Sequence, residues 1–281
     1  KMKFEVKIIL MFFLLFSMIQ QASACINSYI VDLNLYQSTE DAVDALKETN
    51  VRKLHSLEAL NDYAVTLSYS HQYEQAIKIL KNLELRFPNH PKIVANLGTA
   101  YELNGELENA KYWISQGMKR DPKIHGGSEW IHLKIIDAEI QQKTNSKWIE
   151  ENNVLGLDFG KQAVPVAHVT TIKFNQKNYD SSTILAHSIE QSVQRSQFIF
   201  ENDPIFAQIV FNMSNMKILN YTRDGYIIEG LFEKAKKLND SNLSLLQQRE
   251  DDYHHSKWYA FKANFQRTIH DFKYWVMSLL S

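Results

Sequence analysis

LEALNDYAVTLSYSHQYEQAIKILKNLELRFPNH (residues 57–90) runs directly into PKIVANLGTAYELNGELENAKYWISQGMKRDPKI (residues 91–124), and laying the second stretch on the first decides the fold. Ala64, Ala76, Leu80 and Pro88 fall on Gly98, Ala110, Ile114 and Pro122, each 34 residues on. Tyr63 and Leu67 fall on Leu97 and Tyr101 in the same register. A period of this length belongs to a helix–turn–helix unit that stacks on its own copies.

The residue types suit that geometry. Gly98 and Ala110 are small where two antiparallel helices must cross, and Leu97, Tyr101 and Ile114 supply apolar bulk at helical spacing. Gly105, in Asn104-Gly105-Glu106, suits a turn with a positive φ. Pro88 and Pro122 end the second helix of each unit, because proline disfavours a helical residue before it. Pro91 sits in a first turn, where its missing N–H is harmless.

Leu97, Gly98, Tyr101, Gly105, Ala110, Ile114, Gly117 and Pro122 stand where the tetratricopeptide repeat carries its signature, and residues 57–124 resemble that family. The first unit departs from it at Leu83, where a small residue is usual. The resemblance implies an all-α solenoid. Its structural positions are Ala64, Ala76, Pro88, Gly98, Tyr101, Ala110 and Pro122. It also implies a concave groove lined by the first helix of each unit, here Asn61, Val65, Tyr69, Lys92, Asn96, Thr99 and Glu102, that binds a protein or peptide. One subgroup grips a C-terminal carboxylate with Lys, Asn and Arg at set positions. Only Asn96 matches that set, so this mode is not expected.

Two units do not bury their stacking faces alone; about three are needed. Residues 39–54 read as a helix with an acidic first turn. Residues 128–143 read as a capping helix, with Ser128 as N-cap and an apolar stripe of Trp130, Leu133, Ile136 and Ile140. The array with its caps is thus expected over 57–143, after an N-terminal segment at 25–56.

Residues 144–180 change character, with glycines at 156 and 160 and a β-branched run from Val164 to Phe174 that fits a short strand or an extended linker. A second helical part is expected over 181–281. Its first helix places Ile184, Leu185, Ile189 and Val193 on one face. Asp203-Pro204 is a strong helix start, and Ile205, Ile209, Met213 and Met216 continue from it. Asp224-Gly225 opens another helix. Glu250 to His255 reads as a polar loop, and the stretch from Ser256 as an amphipathic helix with Trp258, Phe261, Phe265 and Ile269 on one face. That face packs on the second helical part or lies in a membrane interface.

The chain has 281 residues, 44% hydrophobic, and a formal net charge of −1. It can fill a core, and it lacks the basic face that nucleic acid requires. Residues 1–24 read as a signal peptide, with Met2 as start, basic Lys3 and Lys7, an apolar run from Ile8 to Ile19, and Ala22-Ser23-Ala24 as the cleavage site. That run falls short of the ~20 residues needed to span a bilayer. The single cysteine, Cys25, follows at once. It is a candidate lipidation site, although Ala22 stands where a lipobox usually has Leu, and an ordinary signal peptidase would accept the same site. One cysteine excludes intrachain disulfides and Cys-based zinc sites.

No P-loop, dinucleotide-binding glycine pattern or His-Glu-x-x-His is present. Glu129 and His132, with His125 nearby, have the spacing of carboxylate metal sites but lack a second such pair, so a cap or packing role is expected. The sequence therefore reads as an exported bacterial envelope protein, periplasmic or anchored at the membrane. It acts by binding an envelope protein or peptide, without catalysis, cofactor or metal. Two alternatives stay open: a membrane-associated structural component held by Cys25 or the C-terminal helix, and an enzyme with a site hidden in residues 151–281.

Overall fold

The computed structural model describes residues 39–195, 202–220 and 225–256, which form an all-α, solenoid-like fold with one small hairpin of strands. The expectations for residues 1–38, Cys25 included, and for the helix after Ser256 lie outside the described residues.

The repeat register becomes two helical hairpins. α1 (Thr39–Glu48) and a short 3-10 turn (Val51–Lys53) precede them; the helix anticipated to Leu54 ends at Glu48. The first hairpin is α2 (Leu57–Tyr69) with α3 (Tyr73–Arg86), and the second is α4 (Pro91–Leu103) with α5 (Leu107–Arg120). Ser56 caps α2, its Oγ accepting from the Ala59 amide at 3.1 Å. Pro91 opens α4 at its first turn. Gly105, at φ +77°, makes the turn between α4 and α5.

Ala64, Ala76 and Ala110 are fully buried, and Tyr101 nearly so, while Pro88 and Pro122 stand exposed in the turns after α3 and α5. A Cβ on Gly98 would lie 2.6 Å from Ile114 Cδ1, so the crossing of α4 and α5 is closed to any larger residue. Arg120 joins the second helices of the two hairpins through a bidentate pair with Glu84, at 2.9 and 2.6 Å.

A 3-10 turn (Ile124–Gly127) leads into α6 (Glu129–Thr144). Ser128 does not cap α6 as anticipated. Its Oγ donates to the His125 carbonyl at 2.7 Å and accepts from Gln191 Nε2 at 2.9 Å. Nor is α6 a terminal cap with one apolar stripe. Leu133 and Ile136 enter the repeat core with Leu67, Leu80, Leu97 and Ile114, whereas Trp130, Ile131, Ile135 and Ala138 enter a second core. A helix apolar on most sides belongs in an interior.

After the short α7 (Trp148–Glu151), the chain runs extended, with Asp158 bridging Val169. β1 (Ile172–Phe174) then pairs antiparallel with β2 (Lys177–Tyr179), occupying only the end of the anticipated β-branched run. The rest of that run leaves Val164, Val166 and Val169 exposed. Arg249 holds this segment down, its buried guanidinium donating to the carbonyls of Phe159, Gly160 and Gln162 at 2.9, 2.7 and 3.2 Å.

The second core is completed by α8 (Ser181–Arg195), α9 (Pro204–Leu219), α10 (Gly225–Lys237) and α11 (Leu243–His255). Asp203 caps α9 as its sequence predicts, accepting from the Phe206 amide at 2.9 Å. Phe206, Ile209, Met216, Phe232 and Leu246 form the centre of this core. Two expectations are corrected here. On α8, Ile189 and Val193 are 41% and 43% exposed, while Ser188, Gln191 and Gln194 are fully buried; Gln191 reaches the Ser128 hydroxyl in the turn before α6 at 2.9 Å, and Gln194 donates to Glu190 on its own helix at 2.8 Å. Glu250 to His255 is no loop but the end of α11, with Tyr253 packed against Phe232 at 6.2 Å between ring centroids.

Candidate functional site: the inner face of the repeats and a buried charge chain

The first helices of the two hairpins bring most of the anticipated groove residues onto neighbouring turns. Asn61 on α2 and Asn96 on α4 meet directly, Asn96 Nδ2 donating to Asn61 Oδ1 at 2.7 Å. Thr99, one turn on, returns its hydroxyl to the Ala95 carbonyl at 3.2 Å. Asn61, Val65, Tyr69, Asn96, Thr99 and Glu102 are all buried, and Lys92 is half-buried. A solvated helix face would leave amides and hydroxyls exposed; this face is packed.

Glu102, at the far end of α4, is the head of a chain of buried charges. Glu102 Oε2 accepts from His132 Nε2 at 2.6 Å. The opposite ring nitrogen of His132 lies 3.3 Å from Glu129 Oε2, and Glu129 Oε1 pairs in turn with His125 Nδ1. At the other end Arg195, the last residue of α8, stands 2.8 Å from Glu102 Oε1 and 3.7 Å from Glu139. The local fold explains the placement. Glu129, His132 and Glu139 lie on the side of α6 facing α4 and α8, and His125 is brought back over Glu129 by a left-handed turn at His125, Gly126 and Gly127.

The electrostatics follow from burial opposed by pairing. Burial alone would push the Glu102 carboxyl up, but the Arg195 guanidinium and the His132 ring beside it prevail and hold it down to about 2. Burial is likewise outweighed at Glu129, where His125 and His132 hold the carboxyl well below the usual range. Glu139 goes the other way: burial and the negative charge of Glu102 raise it to about 8, and Arg195 offsets this only in part. His132 presents one ring nitrogen to each of two carboxylates, Glu102 and Glu129. The chain therefore joins α4, α6 and α8, and of its carboxylates Glu102 and Glu129 lie away from bulk water while Glu139 is partly open to it.

Beside it, Trp130 Nε1 donates to His187 Nδ1 at 2.8 Å while Tyr179 stacks on the Trp130 ring at 4.4 Å. This cluster fastens α6, β2 and α8 together. His187 is pushed down by burial and by Lys177, in keeping with a ring nitrogen that accepts from the indole.

The sequence brought out His125, Glu129 and His132 but missed Arg195 and Glu139. For Glu139 the available signal was a charge within the apolar pattern of α6; Arg195, at the end of α8, is outside that pattern. Among the described residues, no group of three or more His, Cys, Asp or Glu side chains is arranged to hold a metal ion. No described helix is long and apolar enough to cross a membrane. Compared with protein families, curated proteins and solved structures, the chain matches none.

Proposed function

We propose that this protein is a non-catalytic helical-repeat scaffold of the tetratricopeptide kind, binding a protein or peptide partner along the inner face of α2 and α4. The observation that carries this reading is the Asn96–Asn61 pair. It places polar groups from consecutive repeats in one line, where a stacked array can follow an extended chain with side-chain hydrogen bonds. Because that face is packed, engaging a partner requires it to open, and binding competes with the native packing of Asn61 and Asn96.

Co-purification with mass spectrometry tests this, using wild type, Asn61→Ala/Asn96→Ala and the control Leu85→Glu on the outer surface, where Leu85 is 82% exposed. Circular dichroism checks that each variant is folded. A specific partner retained by wild type and control but reduced about tenfold by the double variant supports the reading. Equal capture by all three, or none by any, sinks it.

The same proposal puts the protein in a bacterial envelope, exported by residues 1–24 and then either periplasmic or anchored to the membrane through Cys25. Lipid labelling that disappears in Cys25→Ser would support the tether. Release of all the mature protein from membranes by a high-salt wash would argue against it.

A further inference from the structure

A cavity of about 440 Å³ lies where the end of α6, α7, the start of α9 and the turn between α10 and α11 meet. Gln142, Ser146, Glu150, Pro204, Asp240 and Ser244 are among its lining residues. Asp240 is 1% exposed. Its Oδ1 accepts from the Asn242 amide at 2.7 Å, but its Oδ2, buried from solvent, has no hydrogen-bond partner. Across the fold Gln142 Oε1 is in the same condition, buried and without a partner.

Both orphaned atoms are acceptors, and among the described residues no lysine or arginine lines the cavity. Buried polar atoms are almost always satisfied, so two such acceptors lining one cavity suit a ligand that brings hydrogen-bond donors. Glu150, exposed at the same cavity, adds a second carboxylate. The volume falls within the range of small-molecule sites and exceeds what a bare ion fills. A hard divalent cation would want about six to eight oxygen ligands, more than two carboxylates and an amide offer without several waters.

We propose that this cavity binds the primary ammonium group of a small polar molecule, an amino alcohol or an amino acid in size, with Asp240 as its counter-ion and Gln142 as a second acceptor. An ammonium carries three N–H donors and a charge opposite to that of Asp240. Since neither acceptor touches water, a donor that reaches them makes a first hydrogen bond instead of replacing one to solvent. Reaching them requires the cavity wall at residues 239–244 to give slightly. Asn239 already holds a left-handed backbone at φ +63°.

Isothermal titration of the full chain with ethanolamine, alongside ethylene glycol and calcium chloride at about pH 8, tests this. We expect saturable ethanolamine binding, no detectable ethylene glycol binding, a loss of about tenfold or more in Asp240→Asn, and about threefold in Glu150→Gln. If Asp240→Asn fails to fold, Gln142→Leu gives the same reading, with a loss of several-fold. Absence of saturable ethanolamine binding overturns the proposal. So does equal binding by Asp240→Asn or by ethylene glycol. Calcium binding that Asp240→Asn abolishes, with ethanolamine silent, would replace it with a metal site.

Discussion

His132 Nε2 lies 2.6 Å from Glu102 Oε2, a hydrogen bond between buried groups thirty residues apart in sequence that ties the second repeat to α6. Removing one partner of such a pair strands the other. Glu102→Ala leaves His132 and Arg195 without their shared carboxylate, and a loss on the order of 3–5 kcal/mol is expected in urea unfolding. His132→Leu should be milder, because Glu102 keeps Arg195 and Glu129 keeps His125. A double-mutant cycle over the two positions should return a coupling of at least about 1 kcal/mol; purely additive effects would mean the pair is not energetically joined.

Acid and alkali should weaken the charge chain by different routes. Glu102 and Glu129 have folded-state pKa values below the ordinary 4.5. Their contribution is present above about pH 4.5 and is lost as pH falls toward about 2. Glu139 is raised to about 8, so its contribution is present below about pH 4.5 and is lost as pH rises through about 8. Urea midpoints measured against pH should show Glu139→Gln gaining on wild type between about pH 4.5 and about pH 8, by about 1 kcal/mol in all given that a quarter of the side chain is exposed. A constant difference across the whole range would contradict this.

Asp240 offers a separate test of stability. Burial raises its carboxyl to about 6 from 3.8, so the folded state favours the neutral form. That preference stabilises the fold below about pH 3.8 and is lost as pH rises through about 6. At about pH 8 Asp240→Asn should therefore be more stable than wild type, on the order of 2–3 kcal/mol without ligand, and the gap should close below about pH 4. Differential scanning calorimetry at the two pH values reads this directly.

Gly98→Ala pits helix propensity against space. Alanine in a helix gains about 1 kcal/mol over glycine. Here the new Cβ would stand 2.6 and 2.7 Å from the Ile114 side chain and 3.0 Å from its backbone nitrogen, so overpacking should win, with a net loss of about 1–3 kcal/mol. Adding Ile114→Val, which removes the Cδ1 that would be struck first, should restore part of it. A neutral or stabilising Gly98→Ala would show that α4 and α5 separate easily.

The repeat hairpins were legible in the sequence because their determinants are local and repeated. Small residues mark the crossings, prolines the helix ends and Gly105 the turn. Asp203-Pro204 was legible for the same reason. The buried face of α8 was not. Ile189 and Val193 form the apolar side of that helix, yet Ser188, Gln191 and Gln194 go inside, and the Ser128 hydroxyl that receives Gln191 is a partner that no pattern on α8 itself reveals. The charge chain was half legible. Glu129 and His132 show as a pair on one helix face, but their partners Glu102 and Arg195 come from α4 and α8, and only tertiary packing brings them together. The Asn61–Asn96 contact was foreseeable as a shared face, whereas its burial depends on packing across the face.

Because α6 gives one side to each core, the repeat array has a closed end. Solenoids lengthen in evolution and in engineering by copying a unit and slotting it beside the last one, which asks the terminal helix only to present the same face to a new neighbour. α6 cannot do this: Trp130, Ile131 and Ile135 are already committed to the second core, and His132 holds it to α4. A duplicate of residues 91–124 inserted before Glu129 would place α6 against a copy of its proper neighbour while drawing Arg195 away from the original Glu102. Growth of this array is thus confined to units inserted ahead of α6, since none can stack beyond it.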